Sequence, residues 1–216
     1  MTYSIKEIFL SLQGEGIQSG KISLFCRFSG CNLWNGLEKD REKSICKFCD
    51  TDFIGTNGAY GGKYASPENL AETIADIWEK ETKSSAEKHV IFTGGEPLLQ
   101  LDAPLLSALK DHGFKISLET NGSLMPSKDV LTLLDWICVS PKEEKLALTA
   151  GDELKFIYPQ THLTPESFQH LKFKHFILQP MDNENKKENT KQALNYCLTH
   201  PNWRLGLQLH KILDIE

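Results

Sequence analysis

Apolar runs of four to seven residues recur along this chain, separated by longer amphipathic segments, and few folds accommodate that rhythm. Ile22–Phe28, His89–Thr93, Phe114–Glu119, Trp136–Val139, Glu153–Tyr158, His175–Gln179 and Trp203–Leu209 read as strands. They do not alternate apolar with polar, as expected of strands buried on both faces of a parallel sheet. Helical patterns fall between them. One opens at Ser66 as N-cap, with Pro67 next and Glu68 in the first turn, and runs to about Glu81. Others cover Leu101–His112, stopped by Gly113, then Ser127–Leu134, Thr164–Leu171 capped by Thr164 with Pro165 next, and Lys187–His200. Strand–helix–strand order implies parallel pairing through right-handed crossovers. Six or seven βα-like units fall short of a complete barrel, so the pattern predicts an α/β protein: a partial, open βα barrel of about six parallel strands in a single domain, 1–216. In such sheets functional residues gather at the C-terminal strand ends.

One stretch breaks the rhythm. Residues 29–64 are polar and glycine-rich, and irregular segments of that length are functional or disordered. They hold Cys31, Cys46 and Cys49, spaced C-x14-C-x2-C, with Asp50 and Thr51 directly after. Iron–sulfur clusters and structural zinc sites usually take four protein ligands, so a trio leaves one coordination position open. Three readings stand: a cluster with one free iron, half of a zinc knuckle completed by distant His or Cys, or unrelated thiols. Cys26, Cys138 and Cys197 lie in apolar or helical contexts and read as small buried hydrophobes.

Composition narrows the setting. A net charge of −5 without a basic stripe argues against nucleic acid, and points to a small-molecule substrate. No apolar run reaches membrane-spanning length. The first ten residues carry Lys6 and Glu7 and lack the apolar core and cleavage site of a signal peptide. The expectation is a cytoplasmic protein, whose reduced thiols serve metal binding or catalysis rather than disulfides. Further along, Thr93-Gly94-Gly95-Glu96-Pro97 follows a buried strand. Its glycines admit close backbone approach to a ligand and Glu96 can pair with an ammonium; a plain Gly-Gly turn is the alternative.

The cysteine trio followed by Gly-Gly-Glu-Pro resembles the radical S-adenosylmethionine (SAM) superfamily, although the superfamily's usual spacing is C-x3-C-x2-C. Here Asn35 stands where its second cysteine would, and Gly36–Ile45 are inserted. Ser11–Gly16, Arg27, Glu119–Gly122, Ser140–Lys142, Gln179–Met181 and Gln208–Lys211 narrow the resemblance, over nearly the whole chain, to the 7-carboxy-7-deazaguanine synthase family.

That resemblance implies a lyase acting on 6-carboxy-5,6,7,8-tetrahydropterin. A radical derived from SAM would take hydrogen from the ring carbon bearing the carboxylate, and the ring would contract with loss of ammonia. It implies a 4Fe–4S cluster on Cys31, Cys46 and Cys49, and Mg2+ on Thr51 with Asp50 orienting its shell. SAM contacts are implied for Gly94, Gly95, Glu96, Glu119, Asn121, Ser140, Pro141, Lys142, Gln179, Pro180, Met181 and Asp182. Substrate contacts are implied for Leu12, Gln13, Gly14, Glu15, Arg27, Thr93, His210 and Glu216. Gln13 and Glu15 match the donor–acceptor edge of a pterin, with a polar turn as alternative. Arg27 suits the substrate carboxylate, with a structural ion pair as alternative. A structural histidine is the alternative for His210. The family also implies a flavodoxin-like electron donor and a homodimer. Two rival readings are another radical SAM enzyme, of the glycyl-radical activating type, and a zinc-binding interaction module.

Overall fold

The computed structural model describes residues 2–82 and 87–215, which divide into two compact units. The first comprises the chain up to Ser11, Ile22–Thr120 and Met125–Trp136; the second comprises Leu12–Lys21, Asn121–Leu124 and the chain from Ile137 on.

In the first unit, strands β1 (Tyr3–Leu12), β2 (Ile22–Phe28), β3 (Gly62–Tyr64), β4 (Lys88–Gly94) and β5 (Phe114–Thr120) lie in the order β3-β1-β2-β4-β5. The sheet is open. β2, β4 and β5 are parallel neighbours, with Leu24 level with Val90 and Val90 level with Ile116, whereas β3 runs antiparallel to β1. Helix α1 (Pro67–Thr82) connects β3 to β4, α2 (Ala103–Asp111) connects β4 to β5, and α3 (Lys128–Leu133) follows β5. Each helix starts where a side chain satisfies an orphan N–H: Ser66 Oγ accepts from Asn69, Asp102 Oδ1 from Leu105, and Ser127 Oγ from Val130. α1 buries Leu70, Ile74, Ile77 and Trp78, the apolar stripe of a one-faced helix. Leu24, Phe28, Leu70, Ile74, Phe92, Leu106 and Leu118 form part of the core, and the rings of Phe28 and Phe92 stand 5.6 Å apart. The polar groups buried in this sheet are paired: His89 bridges Ser23 Oγ at 2.6 Å and Ser117 Oγ at 2.8 Å.

In the second unit, β6 (Trp136–Val139), β7 (Ala150–Tyr158), β8 (Lys172–Pro180) and β9 (Trp203–Leu205) are successive parallel neighbours. Helix α4 (Lys186–Thr199) connects β8 to β9, and α5 (Leu209–Leu213) follows. Phe156, Phe168 and Trp203 pack as an aromatic cluster. The architecture is α/β with mostly parallel strands, and among the described residues no helix is long and apolar enough to cross a membrane.

Several expectations are corrected. Thr164–Leu171 forms only a 3-10 turn, Pro165–Ser167, and the Thr164 side chain caps nothing. Leu163, Pro165 and Phe168 all face inward, an anchoring pattern with no helical stripe to extend. The last strand stops at Leu205: Gly206 N–H still reaches Leu178 O, and the chain then turns into α5 where strand was expected. With only the Pro165–Ser167 turn between β7 and β8, the described residues hold fewer βα units than predicted. β1 was absent from the sequence reading, because its alternating burial and its charges Lys6 and Glu7 resemble no buried run.

Phe92→Ala removes a fully buried ring from the centre of β4 and is expected to cost about 3–5 kcal/mol in urea unfolding. A loss below about 1 kcal/mol would remove Phe92 from the core that organises β2, β4 and β5.

Candidate active site

The ends of β2 and β4 meet almost backbone to backbone. Gly94 has φ +131°, and a Cβ there would lie 2.3 Å from Phe28 O. A Cβ on Gly95 would lie 2.0 Å from Gly30 O and 2.8 Å from Cys31 Cβ. Glycine is required here by the neighbouring strand exit, a tighter constraint than the ligand approach inferred from sequence. Gly95 N–H donates to Phe28 O at 3.3 Å and Glu96 N–H to Gly30 O at 2.9 Å, lacing the turn to the residues that lead into Cys31. Glu96 is fully buried; its Oε1 accepts from Thr120 Oγ1 at 2.7 Å, tying in the end of β5, and from Leu98 N–H at 3.0 Å. Its carboxylate is thus a strut of the turn through Oε1. Arg27 stands level with Thr93 in the neighbouring strand. Its Nε donates to Glu7 Oε1 at 2.7 Å, so the ion pair weighed as its alternative is present.

The cysteine loop is ordered by side chains rather than by secondary structure. Cys31 Sγ accepts from Leu33 N–H at 3.4 Å. Burial pushes the Cys31 thiol above its ordinary pKa, offset in part by main-chain N–H donors at Leu33 and Trp34 and reinforced by Glu96 and Cys49 nearby. Lys6, almost buried in β1, donates to Asp52 Oδ2 at 2.8 Å, Asn57 Oδ1 at 2.9 Å and Ile54 O at 3.0 Å, pinning the segment after Cys49. Next to it is a cavity of about 240 Å³ lined by Trp34, Gly36, Arg41, Cys49, Asp50, Thr51, Asp52 and Ile54. Among the described residues, no three His, Cys, Asp or Glu side chains converge on one point to hold a single ion. A cluster is larger than an ion, and its thiolates bind separate irons, so convergence is not required of them. The donor set fits a cluster: soft thiols on one loop, two of them electrostatic neighbours, with a main-chain N–H already on one sulfur.

Within the second unit, another expected group assembles. Gln13 Oε1 accepts from Glu15 N–H at 3.1 Å, and Gly14 lies so close to His210 that a Cβ would fall 2.0 Å from the ring. Glu15 forms an ion pair with Lys155 at 2.7 Å and accepts from Gln208 Nε2 at 2.8 Å. Burial pushes the Glu15 carboxyl up, but Lys155, Gln208 and His210 outweigh it and hold its pKa down to about 2. Gln13, Gly14, Glu15 and His210 therefore stand together, Leu12 ends β1 beside them in sequence, and Glu216 lies outside the described residues.

The residues expected around SAM in this unit are placed individually. Asn121 Oδ1 accepts from Ser123 N–H at 2.8 Å, and Lys142 Nζ donates to Ser140 O at 2.9 Å and Ser140 Oγ at 2.7 Å. Gln179 ends β8 before Pro180 with a buried Oε1 that has no hydrogen-bond partner among the described residues, an acceptor suited to a ligand donor. Met181 N–H donates to Tyr158 O at 2.7 Å, and Asp182 pairs with Lys211 at 2.6 Å and Lys186 at 2.9 Å. Pro141 lies two residues beyond the end of β6, and Glu119, in the first unit, is the penultimate residue of β5. Lys155 and Gln208 were missed as site residues. A lysine inside the apolar run of β7 is the same signal that singled out Arg27 in β2.

Comparison with known proteins gives a consistent result. The profile of the Radical SAM superfamily matches residues 42–140. A 7-carboxy-7-deazaguanine synthase of Bradyrhizobium diazoefficiens is 54% identical over 217 residues, covering 100% of both chains. One from Nitratidesulfovibrio vulgaris is 46% identical over 219 residues, again covering 100% of both. The crystal structure of QueE from Escherichia coli superposes with a TM-score of 0.67 at 26% identity, covering 97% of this chain and 95% of that one.

The Glu15–Lys155 pair makes a measurable prediction. The fold holds the Glu15 pKa below its ordinary 4.5, so its contribution to stability is complete above about 4.5 and is lost as pH falls toward 2. Glu15→Gln strands the nearly buried Lys155 cation and is expected to cost about 3–5 kcal/mol near neutral pH. Urea unfolding of both proteins from pH 7 to pH 3 checks it: the two curves are expected to converge on the acid side, and parallel curves would refute the ionised pair.

Proposed function

This chain belongs to the 7-carboxy-7-deazaguanine synthase family of radical SAM proteins, and from that membership we propose that it converts 6-carboxy-5,6,7,8-tetrahydropterin to 7-carboxy-7-deazaguanine with release of ammonia. It is a radical SAM lyase of 7-deazapurine biosynthesis. The observation that carries the chemistry is the lacing of the Gly94-Gly95-Glu96 turn onto Phe28 and Gly30, the residues that lead into Cys31, which sets a thiol beside a turn of exposed main-chain groups. When bound, the cluster and SAM would supply the one-electron chemistry needed to take a hydrogen atom from the ring carbon bearing the carboxylate.

The chain's own residues bind, orient and shield. Cys31, Cys46 and Cys49 hold the cluster by three ligands. Gly94 and Gly95 present main-chain groups to the methionine end of SAM, while Glu96 keeps that turn rigid through Thr120. SAM-contact roles fall in this reading to Glu119 in the first unit and to Asn121, Ser140, Pro141, Lys142 and Gln179–Asp182 in the second. Glu15, ionised by Lys155, accepts hydrogen bonds from the amino–amide edge of the pterin, and Gln13 supplies an amide beside it. Substrate-contact roles fall in this reading to Arg27, toward the carboxylate, and Thr93 in the first unit, and to Leu12, Gly14 and His210 in the second; the same role for Glu216 comes from family membership alone, since that residue lies outside the described residues. Thr51 is the protein ligand to Mg2+, with Asp50 beside it in the same cavity. No nucleophile or proton-transfer dyad is called for. Residues 1–216 act as one catalytic domain, as a cytoplasmic homodimer served by a flavodoxin-like reductant.

Anaerobic reconstitution followed by incubation with reductant, SAM and carboxytetrahydropterin tests the reading: 7-carboxy-7-deazaguanine is the expected product, and its absence from an active SAM-cleaving preparation would overturn the substrate. Cys31→Ala, Cys46→Ala and Cys49→Ala are each expected to abolish SAM cleavage. Thr51→Ala is expected to keep full iron and sulfide content while losing stimulation by magnesium; undiminished stimulation would remove Thr51 from the metal.

A further inference from the structure

The Gly36–Ile45 insertion folds back on the cysteine pair that follows it, and one side chain makes the connection. Arg41, from the 3-10 turn Glu38–Lys43, donates through Nη1 to Lys47 O at 3.1 Å and to Cys49 O at 3.0 Å. These carbonyls belong to the Cys46–Cys49 turn. The guanidinium carbon lies 4.1 Å from the centre of the Trp34 ring, and Trp34, nearly buried, packs edge-on against Phe53 at 5.6 Å. Nε is held by Glu38 at 2.8 Å. Arg41 therefore links the segment three residues after Cys31 to the main chain of Lys47 and Cys49, within the turn that holds the other two cysteines. A guanidinium is permanently charged, planar and fixed in its fork, and stacking on an indole removes the remaining freedom. Glu38 is 77% exposed, so water screens its charge more than it screens that of Arg41, which is 25% exposed.

We propose that Arg41 is a positioning residue for the iron–sulfur cluster: it sets the Cys46–Cys49 turn through two carbonyls and places a fixed cation beside the cluster's negative charge. Net charge and nearby hydrogen bonds are the levers by which a protein moves a cluster potential. Lysine cannot reproduce the fork, and a neutral side chain supplies neither the charge nor the stacking.

The inference rests on the reading of the three cysteines as cluster ligands, and the experiment separates the two. Wild-type protein and Arg41→Lys, Arg41→Gln and Arg41→Met are reconstituted anaerobically. Iron and sulfide per chain, the midpoint potential of the cluster and the EPR spectrum of its reduced form with and without SAM are measured, along with thermal unfolding of each apo-protein. Expected are folded apo-proteins, a potential shifted negative in the Gln and Met variants with an altered SAM-bound spectrum, and a potential restored toward wild type in Arg41→Lys. Folded variants that take up no cluster support the same assignment. Equal potentials and spectra in all loaded proteins overturn it, and so do apo-proteins that fail to fold, which would make Arg41 part of the fold alone. Wild-type protein without iron and sulfide would instead overturn the reading of the cysteines.

Discussion

The approach of Gly94 and Gly95 to the chain leaving β2 is the constraint on which the first unit's chemistry depends. Two main-chain hydrogen bonds and the absence of any Cβ fix the strand exits to each other. Two segments start from this junction: Cys31 begins the thiol loop on one side, and Glu96 begins a 3-10 turn on the other. Burying the Glu96 carboxylate would be costly if it were not bonded, and Thr120 and Leu98 supply the donors. β2, β4 and β5 are thereby locked at their C-terminal ends, where parallel sheets present their ligands. A larger residue at either glycine would part the strand ends and displace the first cysteine with them.

Charge does for the loops what hydrogen-bond ladders do for the strands. Lys6 leaves β1 to satisfy three acceptors in residues 52–57, and a nearly buried ammonium without them would be severely penalised. The second unit repeats the device with Glu15 and Lys155, where a short polar segment after β1 is held against β7. In both places a strand residue provides one charge and an irregular segment provides the other. Ligand-binding loops are drawn from the less stable parts of a fold, and these pairs order them without adding apolar surface.

β2, β4–β9 and the capped helices α1–α3 were legible in sequence because burial on both faces and side-chain N-caps are local signals, whereas β1 and β3 were not. Ser66 and Ser127 each cap the helix assigned to them, although the helix assigned from Leu101 starts later, behind Asp102. Thr164 had the same credentials and failed, since Phe168 and Leu163 turn inward at a spacing that suits a turn. The cysteines and the Gly-Gly-Glu-Pro turn were visible as residue types at strand ends. What they touch was not: the partner of Arg27 is twenty residues earlier, and the partner of Glu15 is in β7. Such pairings depend on which strands become neighbours, and no local window contains that information. Lys155 was overlooked for this reason, and the two lysines paired with Asp182 were likewise out of reach of a local reading.

The insertion between the first two cysteines shows how a long loop can serve a site that requires precision. Lengthening the gap from three residues to fourteen raises the entropy of closing it by only about 1.4 kcal/mol, because closure depends on the logarithm of length. Wander of the free loop is the larger difficulty, and the insertion carries its own restraints. Asn35 binds Asp40 at 2.7 Å and accepts from Leu37 N–H, Ser44 Oγ bridges Arg41 O and Cys46 O, and Ile45 N–H returns to Leu33 O. A hydrogen bond of this kind contributes about 1 kcal/mol net, so a few of them outweigh the added closure cost. The inserted residues then form a brace between cysteines far apart in sequence, with Trp34 and Arg41 at its centre. A spacing that departs from the superfamily's usual pattern therefore remains compatible with one cluster, because what three thiolates require is a fixed set of positions rather than a fixed number of residues between them.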